Sequence, residues 1–295
     1  LRPYFIFGAN TLPKINIPDN VLEIGKYAFA ECSSLEEAVL SKNLSLIDEG
    51  LFDQDIALKS LIIPGAVNAV NQYALRGCGA LKDLRFEDST NPLTAAIARS
   101  GMGMCGDTHL ENLYIGRNIR YSATDSDGYS PFYNLTSLKN VTFSNAGMVT
   151  ECNDYLLAGC STVENLSLPE SLVTIGNHTF SDMTTLQYCR MFDNVESVGE
   201  YGFAGDVNLT DLTFSKKVKT LRNNLFMNCT SLPLFTVHPA VTSIEDNAFM
   251  NCNSLATLSF TDSNDLLNIG RRNENGNFAA MFSDSPVQSL YLSRW

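Results

Sequence analysis

At 295 residues with 44% apolar side chains, the chain has the composition of a globular protein rather than a disordered or fibrous one. A net charge of −12 repels phosphate backbones and argues against nucleic acid as a partner. No run of 18 or more uncharged apolar residues occurs, so no helical membrane span is predicted.

In chain order, the first element follows "PYFIFGANTL" and is a short strand ending at "INIP", where Pro18 lacks the N–H to extend a ladder. Next comes "VLEIGKYAFAECSSL", in which Ile24 precedes Phe29 by five residues and Cys32 follows it by three. Taking Phe29 as an anchor, a step of 23 leads back to Ile6 and forward to Phe52 and Leu75. Two longer steps of 29 and 28 reach Met104 and Phe132, and one of 25 reaches Leu157. The interval of 23 then resumes at Phe180, Phe203, Phe226 and Phe249, and a step of 33 ends the series at Phe282. After every anchor but Phe282 an apolar group recurs at six, nine and eleven residues, as in Leu58, Leu61 and Ile63 or Leu255, Leu258 and Phe260. The alternation that ends this L-x-x-L-x-L run predicts a strand with one buried face. The pair before each anchor, as in "LVTIG", predicts a short extended return, and "GKYAFAEC" is expected to make one helical turn.

No unit of about 23 residues can bury its own apolar side chains, so the units must stack into a continuous column. The unit L-x-x-L-x-L-P-x-x-V-x-x-I-G-x-x-A-F-x-x-C-x-x-L resembles the BspA-like (Treponema-type) leucine-rich repeat. "LSLPESLVTIGNHTFSDMTTL" (166–186) and "FTVHPAVTSIEDNAFMNCNSL" (235–255) are near-complete copies. The resemblance implies a β-rich leucine-rich repeat solenoid with a parallel sheet on its concave side and short extended or helical-turn segments on its convex side. The expected architecture is about twelve rungs in a single domain over 1–295, with longer turns at about 87–103, 117–131 and 270–281.

Eight cysteines could signal a disulfide or metal framework, but seven fall in inward columns. Cys32, Cys78, Cys160, Cys229 and Cys252 each follow an anchor by three residues. Cys189 takes a strand position held elsewhere by Leu, and Cys152 an aliphatic position before its anchor. Stacked rungs about 4.8 Å apart hold such thiols beyond ordinary disulfide reach, so free buried thiols are expected. Cys105 in "GMGMCG" is the one expected to be exposed. The three histidines, His109, His178 and His238, have no i, i+4 partner, and no C-x-x-C or H-E-x-x-H occurs, so no metal site is predicted. "ATDSDGYS" (123–130) matches a calcium loop only in part, lacking its third acid and distal Glu. No nucleophile elbow, phosphate loop or dinucleotide fingerprint is present, so neither catalysis nor a cofactor is expected. Seven N-x-S/T sequons arise where Asn meets the repeated Leu column, and they carry little functional weight.

Function is expected on the outward strand residues, which are mostly small and polar. Two clusters depart from that background: the stripe Val39, Ile62, Arg85 and Tyr114 on successive rungs, and Tyr188 with Arg190 on one rung. Tyr and Arg are enriched in interface hot spots, and apolar side chains in such columns are candidate contacts. Ordinary β-propensity of Val, Ile and Tyr is the competing account. The resemblance implies an exported or cell-surface binding or adhesion module for a host or cell-surface protein, with a glycan as a further class. Its signal or anchor segment is expected outside this sequence. A structural stalk or surface spacer is the alternative. A monomer is expected.

Overall fold

The computed structural model describes residues 1–97, 104–121, 130–263, 265–269 and 282–291. The calcium-loop resemblance at 123–129 and the "RRNENGNFAAM" segment at 271–281 lie outside the described residues. The chain divides into two compact units, Leu1–Thr150 and Glu151–Trp295. In the first, six strands run parallel in chain order: Lys14–Asn16, Glu37–Val39, Ser60–Ile63, Asp83–Phe86, Asn112–Ile115 and Asn140–Phe143. A narrower parallel sheet of Leu46–Ile47, Ala69–Val70, Leu93–Ala95 and Ile119–Arg120 is built from the short returns.

The second unit repeats the plan. Its broad strands are Asn165–Ser167, Tyr188–Arg190 and Asp211–Thr213, then Leu234–Val237, Thr257–Phe260 and Ser289–Tyr291, all parallel. Short strands from Glu151–Cys152 to Asn268–Ile269 form its narrow side. The protein is thus a leucine-rich repeat β-solenoid in each unit. The twelve broad strands among the described residues coincide with the twelve predicted strand runs.

Between broad and narrow sheets runs the core. Phe29, Phe52, Phe180, Phe203, Phe226 and Phe249 are fully buried. Their rings stack along the column, with centroids 5.5, 5.7 and 5.4 Å apart from Phe180 to Phe249. Truncating such a ring to Ala costs about 3–5 kcal/mol, through lost burial and the cavity left behind.

The anchor segment does not form the expected helical turn; no described residue is helical. Its amides alternate instead. Those of Tyr27, Phe29 and Glu31 donate to the carbonyls of Glu49, Leu51 and Asp53 one rung on, while Ala28 and Ala30 close tight turns onto Gly25 and Tyr27. A helix would use every amide within the segment and leave the neighbouring rung unpaired. The alternation requires left-handed backbone at Tyr27 (φ 54°) and Glu31 (φ 59°), and at Asn224 and Asn228 or Asn247 and Asn251 on later rungs. At Gly50 (φ 62°) the absence of a side chain is required as well, because a Cβ there would collide with the Tyr27 ring.

All eight cysteines are free and buried. Cys105 is therefore not the exposed thiol expected: it is 1% accessible, and burial pushes its thiol up to about 12. From Met104 the chain has already rejoined the rung, since Leu75 and Gly77 donate to the carbonyls of Met104 and Gly106. The cysteines three after an anchor have a polar task besides packing. The thiols of Cys78, Cys229 and Cys252 each donate to the carbonyl of the preceding anchor, Phe52, Phe203 and Phe226, at 3.1 Å.

Candidate protein-interaction surface

Along the broad strands from Lys14–Asn16 to Thr257–Phe260, inward apolar side chains alternate with outward ones, and strand register decides which outward groups meet. In the first unit Ile62 pairs with Arg85, Arg85 with Tyr114, and Tyr114 with Thr142. Val39 occupies the corresponding place on its strand, opposite Asn16. Val39 and Ile62 are 43% and 51% accessible, so two branched apolar groups stand on the surface. The predicted stripe is thus one column of side chains.

Arg85 and Tyr114 are locked together. The guanidinium carbon lies 3.6 Å from the centroid of the Tyr114 ring, a cation–π contact, and the Tyr114 hydroxyl donates to Asp88 Oδ1 at 2.7 Å. Beside them an amide chain crosses three rungs: Asn140 Nδ2 donates to Asn112 Oδ1, and Asn112 Nδ2 to Asp83 Oδ1, both at 2.7 Å. Together with Ile62 and Thr142 these groups line a depression of about 360 Å³. The flanking column is charged but self-neutralising. Lys14 pairs with Glu37, Lys59 with Glu36, and Glu111 with both Lys82 and Lys139, whose hydrogen bonds hold its carboxyl down at about 2.

In the second unit Tyr188 is half-buried opposite Asn165 and Asp211, and Arg190 is exposed opposite Ser167 and Thr213. Although they share a strand face, Arg190 does not stack on Tyr188. Its guanidinium carbon lies 4.4 Å over the ring of Phe192. Arg190 and Phe192 border a depression of about 420 Å³, together with Phe214, Lys216, Leu234 and His238. Burial lowers the His238 pKa, the Lys216 charge lowers it further, and Asp193 opposes both.

Sequence reasoning missed Phe192, Leu234 and His238. Leu234, 58% accessible, was legible in principle: it stands in an outward column where other rungs carry Asp, Ser or Asn. Phe192 and His238 lie beyond their strands, where the period-2 pattern no longer says which side a residue faces. Among the described residues, no group of three or more His, Cys, Asp or Glu is placed to hold a metal ion. No described helix is long and apolar enough to cross a membrane.

A family model described as the BspA type leucine rich repeat region, in six copies, matches residues 3–126, 116–233 and 150–272. Among solved structures, a leucine-rich repeat protein from Bacteroides ovatus is 21% identical, covering 92% of this chain and 78% of its own, with a TM-score of 0.51. A leucine rich cell surface protein from Faecalibacterium prausnitzii is 19% identical, with coverages of 98% and 75% and a TM-score of 0.45. The pneumococcal vaccine antigen PcpA is 16% identical, with coverages of 96% and 68% and a TM-score of 0.47. Among curated proteins, none matches.

Proposed function

The chain belongs to the BspA-type leucine-rich repeat family, and on that premise we propose that it is an exported, non-catalytic binding or adhesion module. It takes a protein, or a glycan, on the outward face of its broad strands. The observation that carries this reading is the column Ile62, Arg85 and Tyr114, which strand register places side by side on consecutive rungs. Three such groups combine an exposed apolar side chain, an aromatic ring and a pre-positioned guanidinium, the composition of an interface hot spot. The solenoid supplies the rest, since parallel strands hold outward columns rigidly and at fixed spacing.

The test is adhesion of beads coated with the chain to a panel of immobilised extracellular-matrix proteins and glycans. Saturable binding to at least one is expected, weakened several-fold by Tyr114→Ala or Arg85→Ala at unchanged circular dichroism. Unaltered binding by both variants removes the column from the site. A chain that binds nothing on the panel would instead support a structural spacer.

A further inference from the structure

Charged side chains of this protein are commonly matched by an opposite charge one rung away. Lys14 with Glu37, Lys26 with Glu49, Lys59 with Glu36 and Arg76 with Asp53 all follow that rule. Arg222 pairs with Glu245, and the two terminal nitrogens of Arg117 donate to backbone carbonyls. Two arginines on the broad faces depart from it. Among the described residues, the guanidinium groups of Arg85 and Arg190 form neither an ion pair nor a hydrogen bond, although the chain carries a net charge of −12. Their register neighbours are neutral: Ile62 and Tyr114 for the one, Ser167 and Thr213 for the other.

Each of these arginines borders a depression, and each has its guanidinium resting on an aromatic ring, Tyr114 in one unit and Phe192 in the other. Stacking occupies the flat face of a guanidinium and leaves its N–H edge for hydrogen bonding. That edge matches a carboxylate in a two-pronged pair. Holding the side chain in place beforehand reduces the rotamer entropy lost on binding. An exposed aliphatic stands in each depression as well, Ile62 at 51% and Leu234 at 58% accessible. Volumes of about 360 and 420 Å³ accommodate one or two side chains rather than a folded surface.

We propose that each depression receives an acidic side chain of a partner polypeptide, its carboxylate on the arginine and an adjacent apolar residue on Ile62 or Leu234. This rests on the reading of the broad strands as a protein-binding face, and it names the chemistry that face selects. In the first depression a singly charged carboxylate fits better than a phosphate, because Asp83 lines it; in the second, Asp193 is offset by Lys216 at 3.8 Å and the acidic field of the chain makes the distinction. A dianion in the first would meet both that local carboxylate and the field of an acidic protein. The two depressions lie in separate units, and each is a site by itself.

The experiment follows the arginine Nε–H resonances of the full ¹⁵N-labelled chain, assigned with Arg85→Lys and Arg190→Lys. One titrant is a capped pentapeptide of alternating leucine or phenylalanine and glutamate. The second is the same peptide with glutamine in place of glutamate, and the third is inorganic phosphate. The acidic peptide is expected to shift both resonances, and the glutamine peptide to bind about tenfold more weakly, as when a charge-assisted pair becomes neutral. Arg85→Gln should remove the first response and leave that of Arg190. Equal affinity for the two peptides overturns the carboxylate assignment while leaving the strand-face reading intact. So does phosphate shifting the resonances where the acidic peptide does not. Resonances that no titrant moves overturn it too, and the strand-face reading then stands or falls on the adhesion panel.

Discussion

Asp55 and Asp206 stand three residues after their anchors, in the slot that Cys78, Cys229 and Cys252 fill on other rungs. Both are buried. One oxygen of each accepts a backbone amide from the preceding rung: Asp55 Oδ1 from Cys32 at 2.8 Å and Asp206 Oδ1 from Met183 at 2.9 Å. The other oxygen of each is buried with no partner. Ser285 shows what the slot asks for, because its hydroxyl accepts from the Cys252 amide and donates to the Phe249 carbonyl. A carboxyl can do both only when protonated, with Oδ2–H donating. By the 26-residue offset that relates Cys78 to Phe52, the acceptors would be the carbonyls of Phe29 and Phe180. Burial pushes the Asp55 carboxyl up to about 8 against the Cys32 amide, with Asp53 adding repulsion, and it raises Asp206 well above the usual range.

A folded-state pKa above the unfolded value near 3.9 means that the folded chain holds a proton the unfolded chain releases. The contribution to stability is therefore fully present below about pH 4 and is lost as pH rises through about 8. One such carboxyl gives a slope of about 1.4 kcal/mol per pH unit at most, or roughly 2–3 kcal/mol between pH 5 and 7. Asp55→Asn keeps the shape, accepts through Oδ1, donates through Nδ2 and cannot titrate. Urea denaturation followed by circular dichroism at pH 5, 6, 7 and 8 should show the variant gaining on wild type as pH rises and exceeding it at pH 8. Asp206→Asn should behave alike. Taking the difference between variant and wild type cancels the opposite trend from His178 and His238, whose lowered pKa values favour the fold as pH rises. A difference that stays flat with pH would refute the protonated-acid reasoning.

Two further substitutions probe the stack. Arg117 is fully buried and donates to the carbonyls of Pro64 and Val67 at 2.6 Å and of Gly65 at 3.1 Å. Arg117→Ala should therefore cost about 3–5 kcal/mol in urea unfolding, by removing the donors to the Gly65 and Val67 carbonyls, leaving Pro64 only the Val67 amide, and opening a cavity, and Arg117→Lys should recover less than half, since a single ammonium cannot span the turn. Gly50→Ala should cost about 1–3 kcal/mol through left-handed strain and collision with Tyr27; removing that ring with Tyr27→Ala should restore part of the loss in a double-mutant cycle.

What the sequence disclosed follows from the period. A spacing of 23 repeats the same contact on every rung, so Phe29, Leu61 and Ile63 revealed their column by recurrence, and the outward column Ile62, Arg85 and Tyr114 followed from alternation. Whatever happens once left no such trace. Arg117 reaches carbonyls 50 to 53 residues back, two broad strands away, from a "GRN" turn that reads as surface. Cys105 sits one residue past an anchor that a 29-residue step displaces, so its column was not recognisable. The left-handed backbone at Tyr27 was hidden because a tyrosine gives no hint of positive φ, whereas Asn224 and Asn247 at the equivalent place do.

The same logic separates polar groups that hold the stack from those available to a partner. Lys82 and Lys139 are exposed and Glu111 is half-buried, but each of these charges is spent on the next rung, as are Asn228 with Asn251 and Asn177 with Asp154. These cross-rung pairs recur wherever two adjacent units place complementary groups in one column, so their exposure says little about binding. Ile62, Arg85, Arg190 and Leu234 have no such complement beside them. In a repeat protein a surface residue becomes informative when its column fails to explain it, and by that criterion the two depressions, with the exposed Val39 one rung from Ile62, stand out among the described residues of these faces.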